Sequence, residues 1–192
     1  MVNWGIPNYP NSMPNSQKKL HREPLTMKIR LDQFNNSDFD RGAGRLKEVI
    51  WMVTKAFLLQ LHFPLPSGAR ALGLRLFGAR IGKGVIIRPG VNVTYPWRLT
   101  VGDHCWIGED VTILSLAPVS IGDHCCISQR AFLCTGSHNF SKETFDLIAR
   151  PISIGSHSWI AACAFVGPGA SIAEGTMIKA GDVFLEKRDK EK

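Results

Sequence analysis

A chain of 192 residues, 44% apolar and 20% charged, has room for one hydrophobic core with small appendages. Its five cysteines are odd in number and include no CxxC pair, which argues against a disulfide frame and for free thiols in a reducing compartment. The formal charge of +7 is concentrated: between Arg41 and Arg88, nine lysines and arginines meet the single acid Glu48, a local +8.

Residues 1–28 are rich in Asn, Pro, Ser and Lys, show no periodicity, and are predicted to be disordered. No basic start followed by an apolar run is present, so no signal peptide is expected, and Met27 is a second candidate start. Residues 29–80 read as an N-terminal arm and a helical cap. The polar stretch 29–43 holds two lone aromatics and is expected to drape over a neighbour. Over 45–62 the spacing predicts a helix with Leu46, Val49, Ile50, Val53, Phe57 and Leu61 on one face, ended by Pro64 and Pro66. Lys55 interrupts it, and it is short of the about 20 apolar residues of a membrane span. A second helix is predicted over 67–77, N-capped by Ser67, with Arg70 and Arg75 on its polar side. Trp51, Met52, Leu58 and Leu59 read as exposed. The helices fit a cap over a repeat domain better than an interfacial contact with an anionic membrane surface.

From Ile81 an aliphatic residue returns every six positions: Ile81, Ile87 and Val93; Val101, Ile107 and Ile113; Ile121, Ile127 and Leu133; then Ile154, Ile160, Val166, Ile172 and Ile178. This period predicts an all-β solenoid over 81–185, a left-handed parallel β-helix with three six-residue units per triangular coil. Gly102, Gly108, Gly122, Gly155 and Gly167 are expected at corners that a Cβ would crowd. Two-residue slips at Leu99→Val101 and Val119→Ile121 are expected to be longer corners. The break between Leu133 and Ile154 predicts a loop, 138–151, that leaves the coil and carries function. The charged tail 186–192 is expected to fray.

Among six histidines, His104, His124 and His157 recur three positions after a coil-opening aliphatic residue, so they are expected to stack at turns. Nothing beside them forms a tetrahedral ligand set, and no metal is expected. His21 and His62 have no visible context. His138, in CTGSHNF, breaks the repeat where the loop departs, a place from which an imidazole can exchange protons at neutral pH. The basic residues lack interleaved aromatics or a groove-reading helix, so no nucleic acid is expected.

The segments YPWRLTVGDHCWIGED, SQRAFLCTGSHNFS, FDLIARPISIGSHSWIAA and FVGPGASIAEG resemble the hexapeptide-repeat acyltransferases, in particular the colanic-acid-biosynthesis type of sugar O-acetyltransferase. The likeness runs from about Leu31 to Leu185. It implies a homotrimer. The free thiols and missing signal peptide would make it cytoplasmic, and if its acceptor is lipid-linked the basic helical region would bring it to the inner membrane face. Acetyl-CoA would be the acyl donor and a saccharide of exopolysaccharide or cell-surface polysaccharide synthesis the acceptor. The resemblance makes His138 the general base and the Ala162 N–H the oxyanion donor. Trp159 and Ala161 would wall the CoA channel, and Ala180 would meet the pantetheine arm. The family's usual GAGSVVTKD reads KAGDVFLEKRD here, so Glu186 falls where a lysine for the CoA phosphate is expected, and Lys187, Lys179 or Arg188 would have to substitute. Glu143, Asp146 or a backbone carbonyl are candidates to orient His138. Two alternatives stand beside this reading. One is a non-catalytic β-helix scaffold, which the altered C-terminal motif favours. The other is a zinc carbonic anhydrase, which requires an HxxxxH pair that this chain lacks.

Overall fold

The computed structural model describes residues 28–60 and 65–186. The expectations for residues 1–27, for Leu61, His62 and Pro64, and for Lys187 and Arg188 in the tail lie outside them. Two helices, α1 (Arg45–Lys55) and α2 (Ser67–Leu76), precede a parallel β-solenoid of about five coils. The first coil contains β1 (Arg80–Ile81), β2 (Ile86–Ile87) and β3 (Asn92–Val93). The second contains β4 (Leu99–Val101), β5 (Trp106–Ile107) and β6 (Thr112–Leu114), and the third β7 (Val119–Ile121), β8 (Cys126–Ile127) and β9 (Phe132–Cys134). A hairpin follows, β10 (Gly136–His138) and β11 (Leu147–Ala149). The fourth coil holds β12 (Ile152–Ile154), β13 (Trp159–Ile160) and β14 (Phe165–Val166), and the fifth β15 (Ser171–Ile172), β16 (Met177–Ile178) and β17 (Val183–Phe184).

The first strands of the coils form one five-stranded face, the second strands another, and the third strands the last. The six-residue period becomes a ladder: Ile81, Val101, Ile121, Ile154 and Ile172 stack in register and are all buried. Inward side chains therefore meet their own kind in the next coil, and the core extends along the solenoid. The two-residue slips do not lengthen corners. They lengthen strands β4 and β7, whose inward positions (Leu99 and Val101; Val119 and Ile121) are both buried. Adding two residues preserves strand alternation, so the extra aliphatic residue also turns inward.

The corner glycines need a different explanation from bending. A Cβ on Gly122 would sit 2.6 Å from the Ser156 nitrogen of the next coil, so close stacking of coils demands the glycine. The left-handed corner positions are elsewhere, and at two corners of the middle coils they are not glycine: His104, His124 and His157 at one corner, Asp110, Arg130 and Cys163 at the next. The three histidines stack as plates, with centroids 5.2 and 5.1 Å apart. Cys105 and Cys125 are buried fillers, and all five cysteines are free.

The cap departs most from expectation. The α-helix stops at Lys55 and continues as a π-turn over Ala56–Gln60. Its buried residues are Trp51, 1% exposed, and Leu59, 0% exposed, both expected outside; the predicted inner face points outward, with Leu46 74% and Phe57 66% exposed. The reason lies at the solenoid's open edge, where the first coil has carbonyls with no preceding coil to pair them. Trp51 Nε1–H donates to Val93 O and Thr94 O, each at 3.1 Å. Ser67 does not cap α2; its Oγ accepts from Ile87 N at 2.7 Å and donates to Val85 O at 3.3 Å. Arg70 is buried, with Nη1–H donating to Leu65 O at 2.8 Å, and Arg75 donates to Ile81 O and Gly82 O. Both arginines thus reach edge carbonyls, Arg70 from a buried position and Arg75 from an exposed one, and burial lowers the pKa of Arg70. Among the described residues, no helix is long and apolar enough to cross a membrane.

Candidate active site

After β9 the chain leaves the third face, runs out along β10 and returns along β11, pairing His138 with Leu147. The predicted loop is therefore a hairpin with its tip at 139–146. The half-buried His138 ends β10, directly before the tip. The His138 Nδ1 is 2.8 Å from the carbonyl oxygen of Phe145. A carbonyl can only accept, so Nδ1 carries a proton, and in the neutral ring the lone pair is then on Nε2. Phe145 adopts φ +51°, which turns its carbonyl back to the imidazole. Its ring stacks on His138 at 4.2 Å, nearly parallel.

Neither acidic candidate bonds the imidazole. The Asp146 carboxylate is taken by Lys142 Nζ at 2.7 Å and Thr144 Oγ1 at 2.6 Å, which hold its pKa below the ordinary carboxylate range. Glu143 is exposed; its carbonyl accepts from Arg30 N at 2.8 Å. That bond ties the N-terminal arm to the hairpin and brings Phe34 edge-on to His138, with ring centroids 5.5 Å apart. The arm thus drapes over its own chain. The PWR segment anchors its other end: Trp97 Nε1–H donates to Arg41 O at 2.8 Å, and Arg98 donates to Asp40 O. Phe34 and Phe145 are the site residues that sequence reasoning missed. The one available signal was that LDQF and the hairpin carry aromatics outside the six-residue period.

The other expected site residues cluster at a different corner. Trp159 projects from the second face, 47% exposed, and its Nε1–H donates to Ser128 Oγ at 2.8 Å. Ala161 and Ala162 follow at the corner between the second and third faces. The Ala161 N–H is used by Ile178 O, and the Ala162 carbonyl accepts from Gly181 N beside Ala180. Among the described residues the Ala162 N–H has no backbone acceptor. His138 leaves from the corner between the third and first faces. One chain therefore keeps its imidazole and its Trp159–Ala162–Ala180 corner apart by the width of a face. Glu186 is engaged by Arg150 Nη1 at 2.6 Å; Lys187 lies outside the described residues. Among those residues, no group of three or more His, Cys, Asp and Glu could hold a metal ion.

Over 140 residues the chain is 44% identical to WcaF of Escherichia coli strain K12, named as a colanic acid biosynthesis acetyltransferase, covering 73% of this chain and 77% of that protein. The like-named protein of Shigella flexneri matches with the same identity and coverage. Among solved structures, a hexapeptide-repeat acetyltransferase of Vibrio cholerae O1 biovar eltor, complexed with acetyl coenzyme A, superposes with TM-score 0.62 at 22% identity, over 72% of this chain and 74% of that one. A maltose O-acetyltransferase of Clostridium difficile 630 gives TM-score 0.63 at 22% identity, over 73% and 78%. At that identity the two structures speak for the fold. No protein-family model matches the chain.

Proposed function

The chain belongs to the hexapeptide-repeat acetyltransferases, in the branch of the colanic acid biosynthesis acetyltransferase WcaF, and on that premise we propose that it moves an acetyl group from acetyl-CoA to a saccharide hydroxyl in cell-surface polysaccharide synthesis. The observation that carries the mechanism is the Nδ1–H···O=C bond from His138 to Phe145, which leaves Nε2 free to accept a proton. Nε2 takes the proton of the acceptor hydroxyl as its oxygen attacks the thioester carbonyl carbon. The tetrahedral oxyanion accepts a hydrogen bond from the Ala162 N–H. Collapse breaks the C–S bond, and the imidazolium returns its proton to the departing CoA thiolate. Trp159, Ala161 and Ala180 line the CoA arm. Lys187 serves as a point charge for its phosphate. No metal takes part. Free thiols and a cytoplasmic donor agree with a cytoplasmic enzyme.

Because one chain keeps His138 and the Ala162 corner apart, we place each site between two subunits of a homotrimer. The outward rows support this arrangement. On the first face they are polar: Thr100, Ser120, Ser153 and Ser171. On the second, Ile86, Trp106, Trp159 and Met177 are exposed and apolar, with half-buried Cys126 between the two tryptophans, and this ridge lies beside the Ala162 corner. Subunit mixing tests the shared site. His138→Ala and Ala162→Trp chains, each inactive alone, should regain activity when refolded together, at roughly a quarter of the sites in a random threefold assembly. Mixed trimers that stay inactive would place the base and the corner in the same subunit's site.

A further inference from the structure

The outward stripe of α1 is an apolar face left over after capping. Leu46, Val49, Ile50, Val53 and Phe57 lie at helical spacing and are all exposed, while Trp51, about opposite, closes the first coil. Leu72 and Leu76 of α2 are exposed as well, so both cap helices carry apolar side chains that the solenoid leaves uncovered. A contiguous apolar surface of this kind marks an interaction site.

The charges of the first coil say which partner fits. Arg80, Lys83 and Arg88 project from it. Their counterparts one coil on are Thr100, Asp103 and Gly108, and two coils on Ser120, Asp123 and Ser128. Along these three rows the cations are confined to the first coil, where Arg88 pairs with Glu109 of the second at 2.6 Å. There Arg80 and Lys83 are exposed, as is Arg45 at the start of α1. We propose that this end of the solenoid docks on an anionic phospholipid surface, with the α1 stripe entering the interface and the cationic rim meeting lipid headgroups. A second copy docked through the same end would bring two cationic rims together, which disfavours it. The chain's own first 28 residues carry four Lys/Arg against Glu23 and so offer the rim no net opposite charge.

Vesicle flotation of the full chain tests the proposal, comparing phosphatidylcholine alone with a mixture containing about a third phosphatidylglycerol, at about 0.1 M salt. The chain should float with the anionic vesicles, and higher salt should weaken the association. Each surface cation is worth about fivefold in partitioning onto an anionic leaflet, so Arg80→Glu/Lys83→Glu should bind at least about tenfold more weakly. Val49→Glu/Val53→Glu, which alters exposed positions only, should lose flotation while its circular dichroism and acetyl-CoA binding stay unchanged. The proposal is overturned if the parent chain does not float with anionic vesicles, or if the stripe variant floats as the parent does. It is overturned too if the stripe variant loses oligomer mass in sedimentation, which would make a second copy the occupant. Acetyl-CoA binding on the same samples reads the enzymatic assignment separately.

Discussion

The contact of Phe34 with His138 gives the mechanism its most exacting test. Phe34 sits on the arm, half-buried, and meets the imidazole edge-on at 5.5 Å. An edge-to-face pair of this kind is worth about 0.5–1.5 kcal/mol beyond area burial. If that energy holds the imidazole against Phe145, its loss lowers the fraction of chains with a competent base by about two- to tenfold. Phe34→Ala should therefore reduce kcat by about that factor and leave the KM for acetyl-CoA unchanged, since Phe34 meets the imidazole and none of the residues assigned to CoA. Phe34→Tyr, which keeps the ring, should retain most of the turnover. The assay is steady-state acetyl transfer to the best acceptor from a monosaccharide screen, with thermal melts to show that the fold is intact. An unchanged kcat in Phe34→Ala, or a loss confined to KM, would refute a positioning role for the arm.

Trp51→Ala should cost about 3–5 kcal/mol, because it removes a fully buried ring and the donor shared by two edge carbonyls. For a chain of this size that is a fall in Tm of about 6–20 °C; a shift below a few degrees would mean the cap contributes little. Burial pushes the Cys105 thiol up to about 11, so near pH 8 iodoacetamide should alkylate exposed Cys163 well before Cys105, as peptide mass mapping would show. Glu186→Lys should lose under about 1 kcal/mol of stability, since its pair with Arg150 is partly exposed. The same change should tighten binding of acetyl-CoA, but not of its 3′-dephospho analogue, by about tenfold. Equal responses of the two ligands would put the phosphate elsewhere.

The solenoid was legible because its inward residues are adjacent in a short period: Ile81, Ile87 and Val93 close one coil within thirteen residues. The departure of His138 from that period was legible for the same reason. Its partners were not, because Phe34 reaches it through an aperiodic arm, and Phe145 does so by a backbone carbonyl turned by a positive φ. The α1 periodicity correctly grouped Leu46, Val49, Ile50, Val53 and Phe57 but could not give the side on which they would lie. That was decided by unpaired edge carbonyls, to which Trp51 alone on the helix brings a buried donor. Arg70 and Arg75 read only as the polar side of α2 for the same reason: nothing local announces that the coil beneath them ends in open acceptors.

The most direct test of the central claim is an acetyl-CoA titration by calorimetry into the parent chain and His138→Ala, paired with transfer assays on the same samples. The account predicts saturable binding near one site per chain for both proteins. It predicts that turnover falls at least about a hundredfold in the variant, the weight of a lost general base. Absence of binding by a folded oligomer, or near-parental turnover without His138, would contradict it.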